Sequence, residues 1–136
     1  MAPAGRPHTA GVIAALRAVG LTVGDAIAPD TTATQKWAVV YGGGVGLLTG
    51  TMHDERSDAS PVIQVTSVGT TAEQSEWVAD TVRRTLLARP ITLAVANRRV
   101  LFVSVEASQP TRRDDDVHPP LYYGVGLYKV ATTSTT

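Results

Sequence analysis

One continuous stretch, residues 61–89, constrains the fold more than any other part of this chain: PVIQVTSVGTTAEQSEWVADTVRRTLLAR. It opens with a proline and a run rich in β-branched side chains, which predicts a strand over 61–68 that Gly69 ends. Both faces of that strand mix apolar and polar side chains, so the pattern does not fix which face meets the core. A helical pattern starts directly after the glycine. The chain must therefore fold around a strand that turns at once into a helix.

The helix in this stretch is the longest that the sequence predicts. Two threonines open it, and either can form a capping box with the residue three positions later: Thr70 with Glu73, or Thr71 with Gln74. The helix is expected to run to about residue 88, where a proline soon prevents its continuation. The side chains expected to face the core are Trp77, Val78, Ala79, Val82 and Leu86.

The rest of the chain adds a second helix and several strands. A helix is expected over 9–19, begun by Thr9 and ended by Gly20 in a left-handed conformation. Strands are expected at 36–41, 100–108 and 121–131, with weaker patterns at 45–52 and 91–100. Loops are expected at 21–35, 53–60 and 109–120. This order predicts an α+β fold, a mostly antiparallel β-sheet with two main helices packed on one face.

Length and composition are those of one ordinary domain. The 136 residues predict a single domain over 9–131, between a flexible N-terminal arm (1–8) and a flexible C-terminal tail (132–136). The absence of cysteine excludes thiol catalysis and a disulfide framework. The 12 basic and 12 acidic residues balance, whereas a general nucleic-acid binder carries a basic surplus. No apolar stretch approaches the ~20 residues that span a bilayer, so no membrane partner is expected.

The glycine-rich segment 42–50 is the part most similar to a nucleotide-binding motif. A Walker-type loop needs a lysine after its last glycine, and none lies there. The dinucleotide-binding spacing also fails, because Thr49 stands where the third glycine should be. A turn between strands is the favoured interpretation. No nucleophile elbow occurs elsewhere, so neither an enzyme activity nor a cofactor is expected.

Two charged segments remain as candidate sites. Residues 53–58 hold adjacent potential metal ligands, but neighbouring ligands in one loop suit a tetrahedral zinc poorly. Residues 112–118 could bind a cation through three carboxylates, although a solvated loop with internal charge pairing is favoured. Contact with a neighbouring subunit is the third interpretation. The candidate subunit-contact residues are His53, Asp54, Glu55, Arg112, Arg113, Asp114, Asp115 and Asp116.

The amino-acid sequence of the opening stretch resembles that of a known family. The run IQVTSVG at 63–69, followed by TTAEQSEWVAD at 70–80 and then Val82-Arg83, is similar to the central segment of tail terminator (tail completion) proteins of long-tailed bacteriophages. The predicted N-terminal helix and the strands at 36–41 and 121–131 also resemble that family. The similarity covers residues 9–131, and its motif is structural, without chemistry of its own.

This resemblance implies a structural virion protein with no catalytic residues and no cofactor. It implies a homo-oligomeric, hexameric ring at the tail–neck junction, assembled in the host cytoplasm. The ring would cap the major tail tube protein, stop its polymerisation and join it to the head–tail connector protein. Genomic DNA would pass through the lumen without sequence readout.

Two other functions stay open from the sequence. One is a head–tail connector or head-closure subunit of the neck, because related neck proteins share the general architecture. The other belongs to a different class, a small nucleotide- or ligand-binding domain that uses the glycine-rich turn at 42–50.

Overall fold

A computed structural model describes residues 5–29, 35–42, 49–51, 54–117 and 119–134. It confirms the α+β fold, with two helices packed on one face of a mostly antiparallel sheet. The helices are α1 (Gly5–Ala18) and α2 (Ala72–Leu86). The strands are β1 (Val23–Asp25), β2 (Lys36–Tyr41), β3 (Thr49–Thr51), β4 (Asp54–Ala59), β5 (Val62–Gly69), β6 (Arg98–Ser108), β7 (Arg112–Asp114) and β8 (Leu121–Ser134). Neither helix is long and apolar enough to cross a membrane.

The long strand β8 organises the sheet. The main path of neighbouring strands is β1-β2-β5-β8-β4-β3, and β6 and β7 also pair with β8. Tyr128 pairs with Ile63 of β5 and with Val105 of β6, so these two strands lie on opposite sides of β8. On the β5 side, β4 continues along β8 at Thr132 and Thr133. Only β1 and β2 are parallel among the described pairs.

The strand register decides which face meets the helices. Val65 of β5 lies between Val40 of β2 and Gly126 of β8, and the residues in that row share one face. The core between sheet and helices contains Val12, Ile13, Leu16, Ala38, Val40, Ile63, Val65, Val78, Val82, Leu86, Val103, Tyr128 and Val130. A smaller cluster of Trp37, Val39 and Val68 lies on the other face. Each fully buried aliphatic side chain contributes roughly 1.5–3 kcal/mol, so the helix-side core dominates stability.

The start of α2 confirms one of the two predicted capping pairs. The Thr71 hydroxyl accepts a hydrogen bond from the backbone N–H of Gln74 at 3.2 Å. The Gln74 side chain reaches back and accepts from the backbone N–H of Thr70 at 3.1 Å. The first bond satisfies an N–H group that the helix start leaves without a partner, and the second joins the helix to the residue before its cap. Gly69 makes the junction tight, because a Cβ there would lie 2.6 Å from the backbone nitrogen of Ser75.

The predicted start of the first helix is wrong, whereas its predicted end is confirmed. Helix α1 begins at Gly5, so Thr9 lies inside it rather than capping it. His8 and Thr9 are both buried, which shows that this turn packs as part of the core layer. At the other end Gly20 has φ 91°, the left-handed conformation that glycine adopts without strain.

Three predicted loops contain short strands. Strand β1 lies within the expected loop 21–35, β4 within 53–60 and β7 within 109–120. Strand β8 also extends through 132–134, so the prediction that these residues form a flexible tail is wrong. The weak strand pattern at 91–100 begins only at Arg98, after a tight turn in which Asn97 has φ 61°. Strand β1 pairs with β2, β4 with β3 and with the end of β8, and β7 with β8, and these pairings are not evident from the sequences of the three segments.

Candidate functional site

The structure separates the two predicted groups of contact residues. His53 lies outside the described residues, while Asp54 and Glu55 begin β4. Arg112, Arg113 and Asp114 form β7, and Asp115 and Asp116 lie in the turn that follows. Strand β4 pairs with one end of β8 and β7 with the other end, on its opposite side. The two groups therefore form two separate surfaces rather than one site.

The turn after β7 pairs its own charges. The Arg113 Nε atom lies 2.6 Å from Oδ1 of Asp115, and Oδ1 of Asp114 accepts from the backbone N–H of Asp116 at 3.0 Å. Arg112 and Asp116 are exposed. This arrangement agrees with the favoured interpretation of a solvated segment with internal charge pairing. It leaves charged side chains on the outer surface of the turn.

The described part of the chain holds no group of three or more His, Asp or Glu side chains arranged for a metal ion. Most of the glycine-rich segment, 43–48, lies outside the described residues. Gly42, at its start, lies close to Thr9 of α1, because a Cβ at Gly42 would be 2.6 Å from the Thr9 hydroxyl oxygen.

A groove of about 220 Å³ runs between α2 and the sheet. Gly124 and Gly126 lie on its sheet side, where the Tyr128 ring packs over Gly126, and Glu76, Asp80 and Arg83 line it from α2. Its other lining residues are Val65, Ser67, Ala79, Val82, Ser108, Gln109, Thr111, Val125 and Tyr128. Burial raises the pKa of the Tyr128 hydroxyl, and nearby Arg83 opposes that rise. The α2 residues that line it are exposed and of mixed charge.

The expectation that Trp77 faces the core is wrong. Its side chain is 45% exposed, and the Lys36 Nζ atom lies 4.0 Å from the centre of its ring. Ser75 and Thr81 occupy buried positions instead. The Ser75 hydroxyl donates a hydrogen bond to the backbone oxygen of Ser67 at 3.0 Å. This bond allows a polar side chain to be buried at a position that the apolar pattern did not assign to the core. An exposed tryptophan is a frequent anchor in protein contacts.

Sequence analysis also missed the outer edge of β6. This 11-residue strand pairs with β8, and beyond a single bridge between Val95 and Arg98 no described residue pairs with its other side. Leu101 and Phe102 at its middle are 43% and 42% exposed. The signal was present in the sequence, because the run 100–105, VLFVSV, is apolar apart from Ser104 and carries no charge.

No protein-family model and no curated protein matches this chain. Its fold does match chains of solved structures. One is a chain in a structure described as the virion of native gene transfer agent (GTA) particle, with a TM-score of 0.69 and 17% sequence identity. The match covers 93% of this chain and 94% of that chain. At this identity the likeness establishes a shared fold, over nearly the whole of both chains.

Proposed function

We propose that this protein is a structural component of a phage-like virion, and that within the virion it is the tail terminator. The observation that supports the virion role is the fold match over more than nine-tenths of a chain from a gene transfer agent particle. The narrower assignment rests on the resemblance of residues 63–83, which form β5 and most of α2. No catalytic step or cofactor belongs to this function.

In this role copies of the chain form a hexameric ring on the end of the tail tube. The ring stops addition of the major tail tube protein and presents its outer face to the head–tail connector protein at the tail–neck junction. Assembly takes place in the host cytoplasm, and genomic DNA passes through the lumen without sequence readout. Repeated head-to-tail contacts close such rings. A sheet stiffened by two helices on one face suits a subunit that must hold a fixed angle to its neighbours.

The turn after β7 is our first candidate for a contact with another protein. Arg113 and Asp115 form an ion pair within it, and Arg112 and Asp116 are exposed beside them. Charged side chains at the rim of a contact act mainly on the association rate and on the choice of partner. Residues Asp54 and Glu55 at the start of β4 form a second candidate.

Electron microscopy of the protein mixed with polymerising tail tubes tests the assignment. We expect tubes that end in a ring and stop growing, compared with unlimited tubes when the protein is left out. The variant Arg112→Glu should slow capping, while Arg89→Glu, an exposed position after α2 and outside the proposed turn, should leave capping unchanged. Binding to connector complexes without capping tubes would favour the head-closure subunit instead. A protein that binds neither would contradict the proposal.

A further inference from the structure

Strand β6 has an exposed, uncharged middle. Between its two register shifts, residues 102–105 pair with β8 without irregularity, so this segment keeps the regular backbone that a further strand needs. Beyond the Val95–Arg98 bridge, no described residue pairs with the other side of β6. Leu101 and Phe102 are 43% and 42% exposed at this edge. Natural edge strands are commonly protected by charges, so an uncharged middle leaves this edge open to pairing.

The two ends of β6 carry opposite charges. Arg99 precedes the uncharged middle and Glu106 follows it, and both side chains are exposed. Neither forms an ion pair with another described residue. Val103 lies four residues after Arg99 and three residues before Glu106. A second β6 that runs antiparallel about Val103 therefore brings the arginine of each copy beside the glutamate of the other.

The two faces of the strand match about the same axis. Phe102 and Ser104 share one face of β6, and Val103, a residue of the helix-side core, points to the other. With a two-fold axis at Val103, Phe102 lies opposite Ser104 of the second copy. The two Phe102 rings are then diagonal neighbours, within reach of each other. The helices of both copies stay on one face of the extended sheet.

A parallel arrangement of the same two edges loses this match. It would place Arg99 beside Arg99 and Glu106 beside Glu106, and like charges directly opposite each other destabilise paired strands. The antiparallel arrangement covers the edge of both copies at once and leaves no β6 edge to recruit a third copy. The edge is therefore complementary to itself, and a second copy of this chain is the partner that it fits.

We propose that the free protein is a two-fold dimer whose copies pair antiparallel along the outer edges of β6. This contact goes beyond the proposed ring, because copies in a head-to-tail ring do not meet through a two-fold axis. It belongs to the protein before it joins a tail. It covers an uncharged strand that would otherwise be exposed to other chains in solution.

An exchange of charges tests the antiparallel register. Analytical ultracentrifugation should show a dimer of the unchanged protein. Arg99→Glu and Glu106→Arg should each raise the dimer dissociation constant by roughly tenfold, because each brings like charges together at two symmetry-related places. The double variant Arg99→Glu/Glu106→Arg should return to the value of the unchanged protein. Single variants without effect, or a double variant no tighter than the single ones, would overturn the proposal.

A substitution tests the apolar middle. Phe102→Lys should raise the dissociation constant by at least about tenfold, because it places a charge at the centre of the contact. Val19→Lys is the matched control, since Val19 is 50% exposed and follows α1, away from β6. Circular dichroism establishes that both variants fold. Equal dimerisation of the two variants would contradict the contact.

The cysteine-free sequence allows the axis to be located by crosslinking. Ser104→Cys, next to the axis, should give covalent dimers with a short thiol-reactive crosslinker. Arg89→Cys, exposed after α2, should not. The reverse pattern would place the contact elsewhere and overturn the proposal.

The tube-capping experiment separates this inference from the proposed function. A free chain that stays monomeric but caps tail tubes would overturn the dimer and leave the tail terminator function standing. A dimer that passes the charge exchange but never caps tubes would support the contact and contradict the tail terminator function.

Discussion

The hydroxyl oxygen of Thr132 lies 2.7 Å from Nε2 of His8, and both residues are fully buried. The same hydroxyl accepts a hydrogen bond from Nε of Arg98 at 2.7 Å. One threonine thus connects α1, β6 and β8, which are distant in sequence. Because His8 and Thr132 are fully buried, loss of the threonine oxygen would leave the His8 ring without a partner at that atom, away from water.

Replacing this threonine tests how much the network contributes. Thr132→Val keeps the shape but leaves His8 without that hydrogen bond, so we expect the free energy of unfolding to fall by about 1–3 kcal/mol. Urea denaturation monitored by circular dichroism measures the change. Thr133→Val is the control, since Thr133 is half-buried and precedes Ser134 at the end of β8. Equal effects of the two substitutions would show that the network is not a stabilising feature.

The junction between β5 and α2 should not tolerate a side chain. In Gly69→Ala the new Cβ would meet the Ser75 backbone nitrogen at 2.6 Å and Gln74 Cβ at 2.7 Å. Overpacking of this kind typically costs about 1–3 kcal/mol, which thermal or urea unfolding will detect. Gly124→Ala is a matched control within β8, because its new Cβ would find nothing closer than 3.6 Å. A loss confined to Gly124→Ala would contradict the geometry.

The start of α2 depends on the Thr71 hydroxyl. Thr71→Ala removes the acceptor of the Gln74 backbone N–H, and we expect a loss of about 0.5–2 kcal/mol in unfolding free energy. Thr71→Ser retains the hydroxyl and should recover most of that loss. Hydrogen exchange gives an independent measurement, because the first turn of α2 should exchange faster only in the alanine variant. Identical exchange in both variants would show that another group caps the helix.

The two tryptophans should report opposite environments. Trp37 is 6% exposed and Trp77 is 45% exposed. The variant Trp37→Phe keeps only Trp77, so its fluorescence should be quenched by acrylamide more strongly and emit at longer wavelength than that of Trp77→Phe. The measurement is made at low concentration, where copies do not assemble. Equal quenching of the two variants would contradict the exposed position of Trp77.

Acid should weaken the contact between α1 and β1. A hydrogen bond from Arg6 is the largest influence on Asp25 and holds the pKa of its carboxyl below the ordinary value of 3.8. A carboxyl with a lowered pKa in the folded state stabilises the fold above its ordinary pKa, and that contribution disappears as pH falls through the lowered pKa. Asp25→Asn should therefore lower Tm slightly at neutral pH.

The pH and salt dependence distinguish this ion pair from a packing effect. The difference in Tm between Asp25→Asn and the unchanged protein should shrink as pH falls below 3.8, and also at high salt, because the pair is solvent-exposed. Arg6→Gln should behave in the same way. A difference that persists unchanged at low pH would mean that Asp25 acts through something other than its charge.

Sequence alone predicted the elements whose patterns are local. The β-branched run of β5, the Thr71 cap and the left-handed Gly20 each follow from neighbouring residues, and the structure confirms them. The α+β class followed from the order of these elements. Those features are set within a few residues of chain, so no knowledge of distant contacts was needed.

The remaining features depend on distant partners. Strand β4 has the sequence DERSDA, a polar pattern that is typical of a loop. In the structure its last residues pair with Thr132 and Thr133 of β8. Trp77 fits the apolar side of α2 by composition, but Lys36 lies over its ring at the margin of the sheet. The exposed edge of β6 is likewise defined by long-range pairing, because among the described residues only β8 and the Val95 bridge pair with this strand. The subunit contacts remain proposals, because they lie between copies of the chain.

The central position of β8 has a consequence for how the protein is made. Strands β4, β5, β6 and β7 all pair with β8, yet all of them precede it in the chain and therefore leave the ribosome before it. Until β8 emerges, the VLFVSV run of β6 has no β8 to pair with, and both of its edges are exposed. A nascent chain with an uncharged apolar strand exposed is prone to aggregate. The yield of folded protein is therefore expected to depend on chaperones during synthesis.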